Sequence, residues 1–221
     1  MLLQIANVLS PDLLKECRVA GYDDSLFTDG RTSAGWHARE RKYNLQARAG
    51  KHVHALLQKV ETALLGHELV AAAARPKTIV RLQFSRYDQG MNYGTHVDDA
   101  LMDGQRTDLS FTVFLTPPMD YEGGSLVIDE PAGERAFRLD AGAMLLYPST
   151  TLHRVEPVTH GQRLVIVGWI RSYLRSAEAR EILFDLERTI ALLRQKNDQN
   201  TGELELLLKT RSNLLRLWAD A

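Results

Sequence analysis

Three side chains that could bind a metal ion occur in two short stretches of this 221-residue sequence. His96 and Asp98 form a His-x-Asp pair in NYGTHVDDAL, and His153 follows in LYPSTTLHRVEPV. If the first stretch is extended, His96 and Asp98 project to the same side, because alternate residues of a strand share a face. Two imidazoles and one carboxylate form the facial triad of non-haem Fe(II) sites, which leaves coordination positions open for a cosubstrate and O2.

Arg163 begins the apolar stretch RLVIVGWIRS, ten residues after His153. An arginine that points into an apolar barrel is costly unless it meets an anion. Its planar guanidinium suits a carboxylate, which it can bind through two hydrogen bonds. If the metal site exists, we expect Arg163 to bind the remote carboxylate of a dicarboxylic cosubstrate whose other end chelates the metal.

The elements that must position these residues follow from a change of hydrophobic period along the chain. Residues 1–77 predict a helix capped by Ser10, a polar loop or irregular strand, and one or two helices over 48–74. Short stretches rich in Val, Ile, Leu, Phe and Tyr then predict an antiparallel sandwich or jelly roll over 78–173. Residues 174–221 predict a helical hairpin. We therefore expect an α+β fold, with a double-stranded β-helix (jelly roll) core between N-terminal helices and the C-terminal hairpin.

Composition and charge argue against several classes of protein. Apolar residues make up 44% and charged residues 25% of the chain, which is ordinary for a globular protein. The net charge of −1 gives no general attraction for nucleic acid or an anionic membrane. No apolar run is long enough to cross a bilayer, and the first residues do not read as a secretory signal. The single cysteine, Cys17, cannot form an internal disulfide, and we expect a cytoplasmic protein.

The sequence resembles the Fe(II)- and 2-oxoglutarate-dependent dioxygenases of the prolyl-hydroxylase-like group. More closely, it is similar to the bacterial PKHD-type hydroxylases, a family linked to iron uptake. The resemblance is carried by RLQFSRYDQGMNYGTHVDDA, RTDLSFTVFLTPPMDYEGGSLVI and AGAMLLYPSTTLHRVEPVTHGQRLVIVGWIRS. It implies that His96, Asp98 and His153 bind Fe(2+) and that Arg163 binds 2-oxoglutarate.

The resemblance also bears on the residues around Arg163. It implies that Tyr87 lines the cosubstrate pocket and that Trp169, an aromatic residue of the same strand as Arg163, also helps to bind the cosubstrate. Some relatives have a tyrosine near the end of LSFTVFL, where this chain has Phe114. The hydroxyl that assists Arg163 is therefore left open.

The activity implied is hydroxylation of a substrate C–H bond by O2, with release of succinate and CO2 and with L-ascorbate as a common supporting reductant. The substrate stays unidentified: a siderophore-like chelator, another small molecule or a protein side chain. Its contacts are expected from the loop over residues 28–46 and from DDALMDGQRTD. The C-terminal helices predict a homo-oligomer.

Two other functions use the same ligands. A metal- or 2-oxoglutarate-binding jelly roll could act as a sensor without turnover, although a pure metal sensor has no need for the carboxylate clamp at Arg163. A hydrolytic zinc site is disfavoured, since no nearby glutamate is placed as a general base.

Several other polar residues are not expected to take part in the chemistry. Strand alternation sends Asp99 away from His96, and Arg106 with Asp108 is expected to be a structural pair or to line the substrate mouth. The remaining histidines lack matching spacing: His37, His52, His54, His67 and His160.

Overall fold

Helices and strands alternate along the chain much as the hydrophobic period predicts. The structure, a computed structural model, describes residues 1–33, 39–196 and 202–220. The helices are α1 (Pro11–Gly21), α2 (Lys51–Gly66), α3 (Glu68–Ala74), α4 (Ala177–Lys196) and α5 (Gly202–Trp218). The strands are β1 (Leu3–Ile5), β2 (Phe27–Asp29), β3 (Lys42–Tyr43), β4 (Leu45–Ala47), β5 (Pro76–Tyr87), β6 (Asn92–His96), β7 (Leu101–Met102), β8 (Gln105–Arg106), β9 (Leu109–Phe114), β10 (Tyr121–Gly123), β11 (Leu126–Glu130), β12 (Gly133–Phe137), β13 (Met144–Pro148), β14 (His153–Val155), β15 (Val158–Gly161) and β16 (Arg163–Ser172).

Two antiparallel sheets form the jelly roll. The larger has seven strands in the order β1-β13-β9-β16-β5-β4-β2, and the smaller has five in the order β12-β11-β14-β6-β3. Two short pairs, β10-β15 and β7-β8, lie beside them. The α+β class, with helices added to a jelly-roll core, is confirmed.

Strand β9, in the middle of the larger sheet, is covered on both of its faces. Phe111 and Val113 belong to the cluster that packs the seven-stranded sheet against α1, α2 and α3. Phe114 belongs to a second cluster with residues of both sheets. Both faces of the strand are covered, so all six of its residues are buried although apolar and polar residues alternate from Leu109 to Val113. The polar exceptions, Ser110 and Thr112, share the inner face with Phe114.

The helices begin and end where the sequence indicates. Ser10 caps α1 by accepting a hydrogen bond from the backbone N–H of Leu13 at 3.3 Å, and Pro11 occupies the first helical position. The segment 48–74, expected to form one or two helices, forms two, with a break after Gly66 that separates α2 from α3. Helix α4 packs against α5 as the predicted hairpin. Among the helices that the structure describes, none is both long and apolar enough to cross a membrane.

Residues 42–47, which we call the strap, cross from one sheet to the other. Lys42 pairs with Tyr93 of β6 in the smaller sheet, and Gln46 pairs with Ser85 of β5 in the larger. The three inward side chains of the strap are polar and buried, with exposures of 5%, 2% and 7% for Lys42, Asn44 and Gln46. The strap therefore forms a polar wall along one side of the space between the sheets.

Candidate active site

The two histidines and the aspartate of the sequence analysis meet between the sheets. His96 ends β6 and pairs directly with His153 at the start of β14. Asp98 lies two residues beyond the end of β6, with carboxylate oxygens 4.0 Å from Nε2 of His96 and 3.9 Å from Nε2 of His153. The three candidate ligand atoms lie within 4.8 Å of one another, close enough to hold one metal ion.

Backbone hydrogen bonds set the orientation of both imidazole rings. Nδ1 of His96 lies 2.8 Å from the carbonyl oxygen of Gly94, and Nδ1 of His153 lies 3.0 Å from that of Thr151. A carbonyl only accepts, so each Nδ1 carries the hydrogen and each Nε2 keeps its lone pair. Burial, together with neighbouring His153, lowers the pKa of His96 from 6.5 to about 4. The His96 ring is therefore neutral at pH 7 and ready to bind a metal.

The carboxylate of Asp98 is held from the facing sheet. Ser110 of β9 donates a hydrogen bond from Oγ to Oδ2 of Asp98 at 2.5 Å. The Asp98 side chain is 7% exposed. A buried carboxylate with two imidazole nitrogens is the donor set of a non-haem Fe(II) centre, so these residues fit that metal.

Arg163 is a buried cation with no acidic partner among the described residues. It is 1% exposed, and its guanidinium carbon lies 5.0 Å from the ring centre of Tyr87 and 5.5 Å from that of Phe114. Nε and Nη1 are buried without a hydrogen-bond partner, and no acidic side chain in the described part of the chain pairs with Arg163. Because an uncompensated buried charge is costly, the site fits a bound anion such as a carboxylate.

One cavity of about 90 Å³ contains both the metal-ligand cluster and Arg163. Tyr87 and Trp169 also line it. Tyr87 lies opposite Arg163 across β5 and β16, and burial raises the pKa of its hydroxyl. Trp169 is on the same strand as Arg163, with a buried Nε1 that has no partner among the described residues. The resemblance places Tyr87 and Trp169 beside the cosubstrate, and the structure places both side chains on the wall of this cavity.

Comparison with known proteins gives the family. Residues 82–171 match the model of the 2OG-Fe(II) oxygenase superfamily, and residues 178–220 match that of the PKHD-type hydroxylase C-terminal domain. A PKHD-type hydroxylase of Gloeothece citriformis is 48% identical over 100% of both chains, and one of Picosynechococcus is 46% identical over 100% of both. A Pseudomonas putida prolyl-4-hydroxylase structure aligns with a TM-score of 0.53 and 20% identity, covering 77% of this chain and 92% of that one.

The chain belongs to the PKHD-type hydroxylase family.

As a PKHD-type hydroxylase, the protein is a 2-oxoglutarate- and Fe(II)-dependent dioxygenase. The predicted family, fold class and enzyme class are confirmed. Membership of a family of hydroxylases argues against the sensor without turnover. Against a hydrolytic zinc site, the described residues that line the cavity include no glutamate.

Asp99 lies where strand alternation did not predict it. Strand β6 ends at His96, so Asp99 lies outside the strand to which the alternation argument applies. Asp99 lines the cavity, and that expectation was wrong. Arg106 and Asp108 form the expected structural pair, with Nε 2.7 Å from Oδ1.

The other histidines that the structure describes do not line the cavity: His52, His54, His67 and His160. His52 and His54 lie in α2, and His160 lies in β15. His37 lies outside the described residues.

Neither Ser110 nor any single strap residue was singled out from the sequence, although most of the strap lies in the loop over residues 28–46 that was expected to contact the substrate. Ser110 is one of two polar residues in LSFTVF, and its position two residues from Thr112 marks the inner face of β9. The strap residues Lys42, Asn44 and Gln46 also line the cavity. Their period of two was visible, but a polar period of two ordinarily indicates the solvent face of a strand.

Proposed function

We propose that this PKHD-type hydroxylase oxidises a substrate C–H bond to the alcohol and releases succinate and CO2 from 2-oxoglutarate. In this proposal His96, Asp98 and His153 hold Fe(II), and Arg163 binds the carboxylate of 2-oxoglutarate remote from the metal. The observation that carries it is the His–Asp–His cluster within 4.8 Å, in one cavity with an arginine that has no acidic partner in the part of the chain that the structure describes. When bound, iron and 2-oxoglutarate supply the O2-dependent oxidation.

In the metal-free protein the two histidines and the aspartate are already oriented to bind a divalent metal. The Nδ1 hydrogen bonds to Gly94 and Thr151 hold both rings with Nε2 toward Asp98. Since His96 is neutral at pH 7, no proton has to leave it when the metal binds. The negative charge of Asp98 offsets part of the metal's charge.

Arg163 fixes one end of the cosubstrate. Two aromatic rings, Tyr87 and Phe114, lie near its guanidinium, and 1% exposure keeps water from competing for it. The raised pKa of Tyr87 keeps its hydroxyl protonated at neutral pH, so the hydroxyl can donate to an anion. Phe114 has no hydroxyl to offer, which makes Tyr87 the proposed second donor. We propose that Trp169 borders the same pocket through its buried ring.

Succinate formation under air tests the metal assignment. Protein loaded with Fe(II) and 2-oxoglutarate without O2 should show a weak visible charge-transfer band and should release succinate when air is admitted. Asp98→Ala and His153→Ala should lose both signals, because each removes one of three ligands. Full succinate formation by either variant would contradict the assignment.

The 2-oxoglutarate concentration that gives half-maximal succinate formation tests Arg163. Loss of one member of a buried charge pair costs about 2 to 5 kcal/mol, so Arg163→Met should raise this concentration roughly 30-fold or more. Arg163→Lys should retain part of the affinity, since it keeps the charge but not the planar fork. Arg81→Met is the matched control, because Arg81 lines the cavity but is paired with Asp103 at 2.8 Å. An unchanged requirement in Arg163→Met would refute the role of Arg163.

The proposal also covers the substrate, the cellular location and the oligomeric state. The substrate is a small molecule such as a siderophore-like iron chelator, or a protein side chain, and it meets the strap together with Asp99 and Met102, which line the cavity. A succinate-release screen under air, with and without L-ascorbate, tests the substrate, the link to iron uptake and the use of ascorbate. We also propose a cytoplasmic protein that self-associates through its C-terminal helices. Leu206 and Leu217 of α5, 63% and 74% exposed, support this, and sedimentation of Leu217→Glu tests it.

A further inference from the structure

Two buried serines of the seven-stranded sheet form a chain of hydrogen bonds that ends on Asp98. Ser110 on β9 and Ser149 just after β13 are 1% and 3% exposed. Their hydroxyl oxygens lie 2.8 Å apart, and Oγ of Ser110 lies 2.5 Å from Oδ2 of Asp98. Neither serine belongs to the His-x-Asp pair or to the His153 position that define the candidate ligands.

The directions of these hydrogen bonds follow from the chemistry of the groups. An ionised carboxylate only accepts, so the single hydroxyl hydrogen of Ser110 points to Asp98. A distance of 2.5 Å is that of a charge-assisted O–H···O⁻ bond. Ser110 therefore has only lone pairs left for its neighbour, and Ser149 must be the donor between the two. The order is Ser149 to Ser110 to Asp98.

Asp98 needs such support more than the histidines do. His96 and His153 belong to strands, pair with each other and have their rings fixed by backbone carbonyls. Asp98 lies beyond the end of β6, where no strand ladder fixes the backbone. Its side chain is instead tied to the opposite sheet through Ser110.

We propose that Ser110 is a positioning residue that sets the orientation of the Asp98 carboxylate for the metal, and that Ser149 acts on Asp98 only through Ser110. This rests on the proposed role of Asp98 as a metal ligand. Residues that orient a ligand in this way usually change metal affinity about 10- to 100-fold when removed. Among the described residues the Ser110 hydroxyl is hydrogen-bonded to Asp98 and Ser149, so its effect on the metal should pass through the carboxylate.

Co(II) binding to the metal-free full chain, followed by its visible absorption without 2-oxoglutarate, tests the proposal. Ser110→Ala should weaken Co(II) binding about 10- to 100-fold and shift the absorption of the bound ion. Ser149→Ala should weaken it less, and the double variant should equal Ser110→Ala, because Ser149 has no other route to Asp98. Ser110→Thr, which keeps the hydroxyl, should bind as the wild type does.

Ser85→Ala is the matched control. Ser85 is a 2% exposed serine of the same cavity, and among the described residues it makes no hydrogen bond to the three ligands. Wild-type affinity in Ser110→Ala, or losses that multiply in the double variant, would overturn the proposal. Co(II) binding by Asp98→Ala distinguishes a failure of the proposed ligand assignment from a failure of the positioning role of Ser110. If this variant keeps Co(II), the ligand assignment fails; if it loses Co(II) while Ser110→Ala keeps it, only the positioning role fails.

Discussion

We predict that the buried positive charge of Lys42 destabilises the folded state of the metal-free protein. The side chain is 5% exposed, and its ammonium lies 5.3 Å from the ring centre of Tyr93. Burial lowers the pKa of Lys42 from 10.5 to about 8, and the carboxylate of Asp98 opposes part of that change. The folded protein therefore releases this proton at a lower pH than the unfolded chain does.

The sign and size of the effect follow from this difference in pKa. Below about pH 8 both states hold the proton, so the folded state bears the whole cost of a buried charge. Between pH 8 and 10.5 the unfolded chain holds more protons, so stability rises with pH. One pKa unit corresponds to about 1.4 kcal/mol, which makes the cost at pH 7 about 3 kcal/mol.

Urea unfolding of the metal-free protein measures this cost. Lys42→Met keeps the length of the side chain without the charge, and should be about 3 kcal/mol more stable than the wild type at pH 7. The gap should shrink to roughly half at about pH 9.5, because the wild type has then lost about half of its penalty. Lys209→Met, at an exposed lysine of α5, should show no such change with pH. A gap that is the same at both pH values, or a wild type that is more stable throughout, would refute the reasoning.

Three further predictions concern backbone, packing and metal. Gly124→Ala should cost roughly 2 to 4 kcal/mol in urea unfolding, since φ is +62° and a Cβ would lie 2.9 Å from Val158. Gly104→Ala is the comparison, because Gly104 has φ +74° but no atom within 4 Å of the added Cβ, and it should cost only about 1 to 2 kcal/mol of unfolding free energy. Equal losses in the two variants would contradict the contribution assigned to the contact with Val158. Arg180→Met should lower the free energy of unfolding by about 2 to 3 kcal/mol, because this 4% exposed side chain donates hydrogen bonds to two carbonyl oxygens just before α4, one of them at 2.6 Å. Native-state hydrogen exchange at the start of α4 should become faster in this variant, and unchanged exchange would count against the prediction. Co(II) at about a thousand times its Kd should stabilise the wild type by about 4 kcal/mol in thermal unfolding and leave Asp98→Ala unchanged; a stabilised variant would contradict the ligand set.

The sequence predicted the candidate ligands because their types and spacing carry chemistry. His96 and Asp98 are two positions apart in the chain, and His153 follows a recognisable apolar strand. Arg163 was predicted because a cation at the start of an apolar strand needs an anion. The residues that carry this chemistry were therefore visible without any knowledge of how the strands pair.

What the sequence could not provide is the register between distant strands. The direct pairing of His96 with His153 joins strands far apart in the chain, and nothing local specifies it. The contact of Ser110 with Asp98 crosses from one sheet to the other for the same reason. Asp99 was misplaced because the end of β6 at His96 has no clear signal in VDDA.

The position of the strap determines which segments a chimera of two relatives must contain to transfer substrate specificity. The oxygenase core spans residues 82–171, so the strap lies outside it while supplying one wall of its cavity. A chimera that exchanged the core alone would set one protein's wall against another protein's iron site. The pairings of Lys42 with Tyr93 and of Gln46 with Ser85 would also have to form between foreign partners. Specificity should therefore transfer only when residues 42–47 move together with the core.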